Sequence, residues 1–299
     1  MKIAAALALA AAIPLILSVG AEKAPSSAAV VVNTAENMHR KSNAGTDVVS
    51  QALLGANVKI LKAEKNADGE DWFHVETPDT YKGWVIGSSL RFLKPGERAY
   101  ASRGKVFVVT ALLANTYREP DVTEHKPVKV APISAVLEIA ADKDERWLAV
   151  VLPCGTKAWI QKGDGEIHDA PWAWPGRSPE EMVALSKRFL GLPYLWGGTS
   201  PLGLDCSGFV QLIYKMGGIP ILRDADIQFE GSGLVPVAAG EETTGDLVFF
   251  GKGIGHVGMM INAEEFINAT VHEKPVVQVS RLKDAYWQRI YQGARRPKR

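Results

Sequence analysis

Tyr194-Leu-Trp196-Gly-Gly-Thr-Ser-Pro-Leu-Gly-Leu-Asp205-Cys206-Ser207-Gly208-Phe209 is a glycine-rich loop that turns into a helical pattern at its cysteine. Beyond it, Phe209, Val210, Ile213 and Met216 recur at helical spacing, and Gly217-Gly218 ends the run. Cys206 is therefore expected at a helix N-terminus, where the partial positive charge favours a thiolate and lowers the thiol pKa. Gly197, Gly198 and Gly208 are expected to let backbone approach a substrate without hindrance from a Cβ. A buried, inert thiol is the ordinary alternative for a lone cysteine. The flanking Asp205 and Ser207 and the glycines favour nucleophilic catalysis instead.

A thiol nucleophile needs a base. Gly253-Ile-Gly-His256-Val-Gly-Met-Met-Ile261 places His256 on an apolar strand that follows Asp246-Leu-Val-Phe-Phe250, and Glu265-Phe-Ile-Asn268-Ala269 is the next strand. Residues 256 and 268 are equidistant from Asn262. A hairpin centred there sets them directly opposite on one face, with Cβ atoms about 5 Å apart. Asn268 can then fix the imidazole tautomer as the third member of a triad, without adding countercharge. A core histidine and a turn-proximal amide are the bland alternatives. His272 lies beside Glu273, His74 and His125 fall in β regions, and His168 precedes a linker. None has metal-ligand spacing with another His or with a Cys. Neither a phosphate loop nor a dinucleotide fingerprint occurs, so no metal or cofactor is expected.

Working upstream, Ser178-Pro179-Glu180-Glu181 is a helix start with a capping box, followed by Met182, Leu185 and Phe189 at helical spacing up to Gly191. Helices followed by strands predict an α+β domain over 178–299. Asp169-Ala-Pro-Trp-Ala-Trp-Pro-Gly176 reads as a linker, 169–177. Before it, short β-branched runs separated by turns predict two small all-β barrels, at 22–101 and 102–168. They share a weak repeat: Trp72 then Trp84 in one, Trp147 then Trp159 in the other, each pair on successive strands.

The chain has 299 residues, room for two or three domains, with 46% apolar and 22% charged residues, a globular composition. A net charge of +1 gives no field for nucleic acid or anionic lipid. The basic tail Arg295, Arg296, Lys298, Arg299 reads as a solvated terminus. Lys2, the apolar run Ile3–Val19 and small residues up to Ala21 have the layout of a cleavable export signal, 1–21, with an uncleaved anchor as the alternative. A disulfide between Cys154 and Cys206 is conceivable in an exported chain but would silence Cys206.

Tyr194-x-Trp196-Gly-Gly, Asp205-Cys206-Ser207-Gly208-Phe209, Gly245-Asp246-Leu247 and His256-Val257-Gly258 together resemble the NlpC-type, papain-like cell-wall cysteine peptidases. The β regions resemble bacterial SH3-like domains. With two of these in front, the chain is similar to the γ-D-glutamyl-L-diamino acid endopeptidases (dipeptidyl-peptidase VI-like). The resemblance implies a papain-like fold that cuts between D-Glu and the diamino acid of peptidoglycan stem peptides or muropeptides carrying a free N-terminal L-Ala. It matches Cys206 to the nucleophile, His256 to the base and Asn268 to a third position more often occupied by His. It matches Tyr194 to the oxyanion side, Trp196 to a pocket wall, and Asp205 and Ser207 to the substrate's N-terminal end. Tyr81 corresponds to the residue by which the first SH3-like domain reaches the cleft. Arg223-Asp224-Ala225-Asp226-x-Gln228 matches a segment after the catalytic helix. Where the family commonly has an acidic residue that helps hold the substrate amine, this chain has Ala56, so amine selectivity would rest on Asp205 or be relaxed. No further protein partner is implied. A non-catalytic wall-binding protein and a same-fold enzyme of another reaction are the competing readings.

Overall fold

Strand-rich sequence dominates the N-terminal half, and the computed structural model resolves it into two sheets of seven strands each. The structure describes residues 27–142 and 144–298. The expected export signal, 1–21, and most of the lead-in after it lie outside the described residues. In the first sheet the strands are β1 (Ala28–Val31), β2 (Ala35–His39), β3 (Val48–Leu53), β4 (Asn57–Lys65), β5 (Asp71–Glu76), β6 (Lys82–Ile86) and β7 (Leu90–Phe92). The second has β8 (Lys105–Val109), β9 (Leu113–Tyr117), β10 (Lys129–Pro132), β11 (Val136–Ala141), β12 (Trp147–Val151), β13 (Lys157–Gln161) and β14 (Gly165–Asp169).

The two sheets have one topology. Their orders are β3-β2-β6-β5-β4-β1-β7 and β10-β9-β13-β12-β11-β8-β14, identical once seven is subtracted from each second-sheet label. The tryptophan repeat falls on equivalent positions. Trp72 pairs with Ile86 and His74 with Trp84, while Trp147 pairs with Gln161 and Ala149 with Trp159. Trp72 and Trp147 are both buried, and each meets edge-on a ring from the next strand but one in its sheet, His39 of β2 in the first barrel and Tyr117 of β9 in the second. Phe73 and Val75 of β5 enter the core of the first barrel and Leu148 and Val150 of β12 that of the second, alternate residues on one face of each strand.

Near the end of β14, His168 lies 3.8 Å from the tilted ring of Trp172 in the Pro/Trp segment, and Trp174 packs on the core of the third unit. That unit begins with α1 (Pro179–Lys187), whose capping box is formed: Ser178 Oγ accepts from Glu181 N–H, and Glu181 accepts from Ser178 N–H. Such a cap contributes about 1 kcal/mol. The short strands β15 (Thr199–Ser200) and β16 (Gly203–Leu204) lead into α2 (Cys206–Met216), followed by α3 (Ala225–Gly231). Six strands then form one antiparallel sheet: β17 (Val235–Val237), β18 (Leu247–Phe250), β19 (His256–Met260), β20 (Glu265–Thr270), β21 (Val276–Arg281) and, after α4 (Ala285–Ile290), β22 (Tyr291–Arg296). Their order is β17-β22-β18-β19-β20-β21. Helix α2 packs on β19 and β20, and Phe209, Val210 and Ile213 enter the shared core with Val257, Met259, Ile267 and Ala269. No helix among the described residues is long and apolar enough to cross a membrane.

The first barrel docks on the third unit through β3 and the turn before β6. Thr199 N–H donates to Gln51 Oε1 at 3.0 Å, Gln211 Nε2 donates to Asp79 Oδ2 at 3.1 Å, and Tyr81 Oη donates to Asp224 Oδ2 at 2.9 Å. Gly197, at φ +77°, lies against Val48; a Cβ there would sit 2.8 Å from Val48 Cγ1. Ala56, by contrast, packs against the first barrel's own core. Upstream of it, Ser50 and Gln51 meet the third unit by hydrogen bonds, beside Val48.

Candidate active site

Cys206 opens α2, and Asp205 caps that helix by accepting from Gly208 N–H at 2.7 Å. The cap fixes where the helix begins and therefore where the sulfur stands. Across the core, the backbone N–H of Val257, next to His256 on β19, hydrogen-bonds the Cys206 thiol. Strand β19 thus sets the candidate base beside the candidate nucleophile.

The imidazole is held from two sides. His256 Nε2 lies 2.9 Å from Asn268 Oδ1. The Asn268 amide nitrogen donates to the Gln278 carbonyl at 3.2 Å and to Ser280 Oγ at 3.1 Å. A carbonyl can only accept, so the amide nitrogen must face β21 and Oδ1 must face His256. The proton then resides on Nε2, leaving Nδ1 as the acceptor. Trp287 of α4 stacks on the imidazole, centroids 5.2 Å apart at 24°. Trp287 in turn meets His272 edge-on, and His272 lies flat on Tyr286 at 3.7 Å.

The expected hairpin register is corrected. Met259 pairs with Ile267 and Met260 with Phe266, so the turn centres on Ala263 and Asn268 lies across from Gly258, not from His256. His256 reaches Asn268 diagonally, a longer span than a direct pair. A glycine makes this feasible: a Cβ at 258 would lie 3.2 Å from Asn268 Cβ and 2.4 Å from the Phe266 ring.

Charge at the site also departs from expectation. Burial, reinforced by Asp205, pushes the Cys206 thiol up to about 12, and burial draws His256 down to about 4. Enclosure outweighs the helix terminus. At neutral pH the pair therefore rests as thiol and uncharged imidazole. Linkage makes this measurable. The unfolded imidazole, at about 6.5, binds a proton that the folded one refuses down to about 4, so stability falls as pH drops through that window. Thermal melts from pH 7 to pH 4.5 should lose several degrees more in the wild type than in His256→Gln. Equal slopes would contradict a buried neutral imidazole.

Asp205 and Ser207 turn inward. Arg223 donates to Asp205 Oδ1 at 3.0 Å, to Asp205 Oδ2 at 2.8 Å and to Ser207 Oγ at 2.8 Å, while Gly197 N–H donates to Asp205 Oδ2 at 3.0 Å. Sequence reasoning gave Asp205 no cation of its own; Arg223 is that cation, and both carboxylate oxygens are engaged. The glycines also serve packing. A Cβ on Gly208 would lie 2.2 Å from the Gly198 carbonyl, and one on Gly198 would lie 2.3 Å from that of Gly203.

Tyr194 is half-buried near Cys206, and burial raises its hydroxyl pKa. Trp196 is 69% exposed and makes no ring contact among the described residues. Tyr81 is half-buried with its hydroxyl on Asp224, whose other oxygen accepts no hydrogen bond among the described residues. Burial raises the Asp224 carboxyl above its ordinary range. Both cysteines are free thiols, Cys154 exposed and Cys206 buried.

A cysteine at a helix N-terminus, packed on an antiparallel sheet that carries a His–Asn pair, is the papain-like peptidase arrangement, here behind two SH3-like barrels. Residues 191–296 match the NlpC/P60 family and residues 34–91 the bacterial SH3 domain. A gamma-D-glutamyl-L-lysine dipeptidyl-peptidase of Bacillus cereus is 33% identical over 260 residues, 83% of this chain and 74% of that protein. Dipeptidyl-peptidase 6 of Lysinibacillus sphaericus is 26% identical over 250 residues, 81% of this chain and 88% of that protein. The crystal structure of an NlpC/P60 family protein from Bacillus cereus superposes with a TM-score of 0.77 at 27% identity, covering 90% of this chain and 99% of that one. The chain belongs to the NlpC/P60 family.

Proposed function

We propose that this protein is a cysteine endopeptidase that hydrolyses the γ-D-glutamyl–diamino acid bond of peptidoglycan stem peptides or muropeptides bearing a free N-terminal L-Ala. It acts outside the cytoplasmic membrane after export directed by residues 1–21. In this mechanism His256 Nδ1 takes the Cys206 proton as sulfur attacks the γ-carbonyl carbon. The imidazolium passes that proton to the leaving amine, and the dipeptide remains as a thioester. Water, deprotonated by His256, attacks the thioester and releases the γ-carboxylate and the thiol. Because the resting pair is neutral, proton transfer accompanies attack rather than preceding it.

The observation that carries the reading is the contact between Tyr81 of the first barrel and Asp224 beside the catalytic helix. In this reading the contact closes one end of the substrate cleft, so that only a short segment fits before the cut bond. Among the described residues Asp224 has no hydrogen-bonded cation, whereas Asp205 already has Arg223. A substrate ammonium would supply the missing charge and recover part of the desolvation cost of Asp224. N-acetylation of L-Ala-γ-D-Glu-diamino acid should therefore lower kcat/KM by about 10²-fold, the range for unpairing a buried charge. Asp224→Asn should remove most of that discrimination. Equal rates on free and acetylated peptides would contradict amine recognition.

A further inference from the structure

Arg223 is 1% exposed, and its contacts use every donor of the guanidinium. Two go to Asp205, one to Ser207 and one, at 3.5 Å, to the Gly198 carbonyl. The fifth, from Nε, goes 3.1 Å to Ser50 Oγ on β3 of the first barrel, 173 residues away in sequence. Ser50 is itself buried, 3% exposed. We propose that Arg223 is a positioning residue that couples docking of the first barrel to the nucleophile. Ser50 completes the guanidinium's bonds, the guanidinium holds Asp205 neutralised, and Asp205 caps the helix that begins at Cys206.

The charges around Cys206 give the coupling its effect. Asp205 and Arg223 face the sulfur from the helix cap and the segment before α3, Tyr194 from the preceding loop, and the Val257 amide, next in sequence to His256, from β19. Of the two full charges, Asp205 opposes thiolate formation and Arg223 favours it. A loosened Asp205–Arg223 pair thus leaves a bare carboxylate next to the sulfur and makes deprotonation harder. The barrel in this account supports the chemical step through Ser50, separately from closing the cleft through Tyr81. The inference rests on Cys206 being the nucleophile, but thiol reactivity can be read without any substrate.

The test uses the full mature chain carrying Cys154→Ser, so that Cys206 is the sole thiol. Its alkylation by iodoacetamide is followed at pH 8 and as a function of pH, and peptide cleavage is measured in parallel. Arg223→Met should slow alkylation about tenfold or more, the effect of one unit of pKa. Asp205→Asn added to Arg223→Met should restore most of the rate, since no bare carboxylate remains. Arg223→Lys, which keeps the charge but not the fork, should fall between. Ser50→Ala should slow alkylation and kcat together, by about threefold or more, with KM unchanged; removal of one hydrogen bond to a charged group is large enough for this. If Arg223→Met does not fold, Ser50→Ala and Arg223→Lys decide the matter. Wild-type alkylation rates and kcat in those two variants, with only thermal stability lowered, would overturn the proposal. Failure of the double variant to recover would overturn the charge argument. Absence of cleavage by the wild type would instead count against the proposed substrate and leave the alkylation result standing.

Discussion

Cys206→Ala should reduce hydrolysis of the γ-D-glutamyl peptide to background while the protein melts within a few degrees of wild type. Cys206 is 8% exposed, and removal of its sulfur deletes one heavy atom from a packed core. A loss of that size costs about 1 kcal/mol, well short of unfolding a domain. The chemistry has no substitute. The other cysteine, Cys154, is exposed on the second barrel in the turn after β12. Ser207 is occupied by Arg223. Turnover and melting temperature are measured on the same preparation, and full turnover in a variant of unchanged stability would remove the cysteine mechanism.

The second large effect is at the base. His256→Ala should lower kcat by 10²–10⁴-fold, the usual contribution of a positioned general base. Asn268→Ala should cost less, about tenfold, because it removes the acceptor that fixes the Nε2 proton but leaves the Trp287 stack in place. Steady-state kinetics of both variants at pH 7 separates the roles. Equal losses would make Asn268 indispensable to the geometry rather than an orienting group.

Much of this architecture is visible in local sequence where local rules dominate. The capping box at Ser178–Glu181 and the apolar spacing after Cys206 depend on contacts three or four residues apart, and the helices begin where those contacts predict. The tryptophan repeat works the same way, since a strand, a turn and a strand carry the pattern. Register was harder. Counting outward from Asn262 assumed a symmetric turn, but the bond from Ile261 N–H to the Glu265 carbonyl moves the centre to Ala263. Nothing local announces that bond.

The site's electrostatics were the least legible. A helix N-terminus argues for a lowered thiol pKa, yet the direction is set by burial, which comes from the core that α2 shares with β19 and the loop at Tyr194. Arg223 lies within a recognisable Arg-Asp-Ala segment, but its partners lie 16, 18, 25 and 173 residues away. No periodicity encodes such pairings. Likewise Trp287 gives no sign in sequence that its ring will cover His256.

The central claim is that this chain cuts one particular bond with Cys206, and mass spectrometry of the products from L-Ala-γ-D-Glu-diamino acid tests it most directly. Wild-type protein should yield the masses of L-Ala-γ-D-Glu and the free diamino acid, and Cys206→Ala should leave the peptide intact. Cleavage between L-Ala and D-Glu, or an uncut peptide with the folded wild-type chain, would contradict the account.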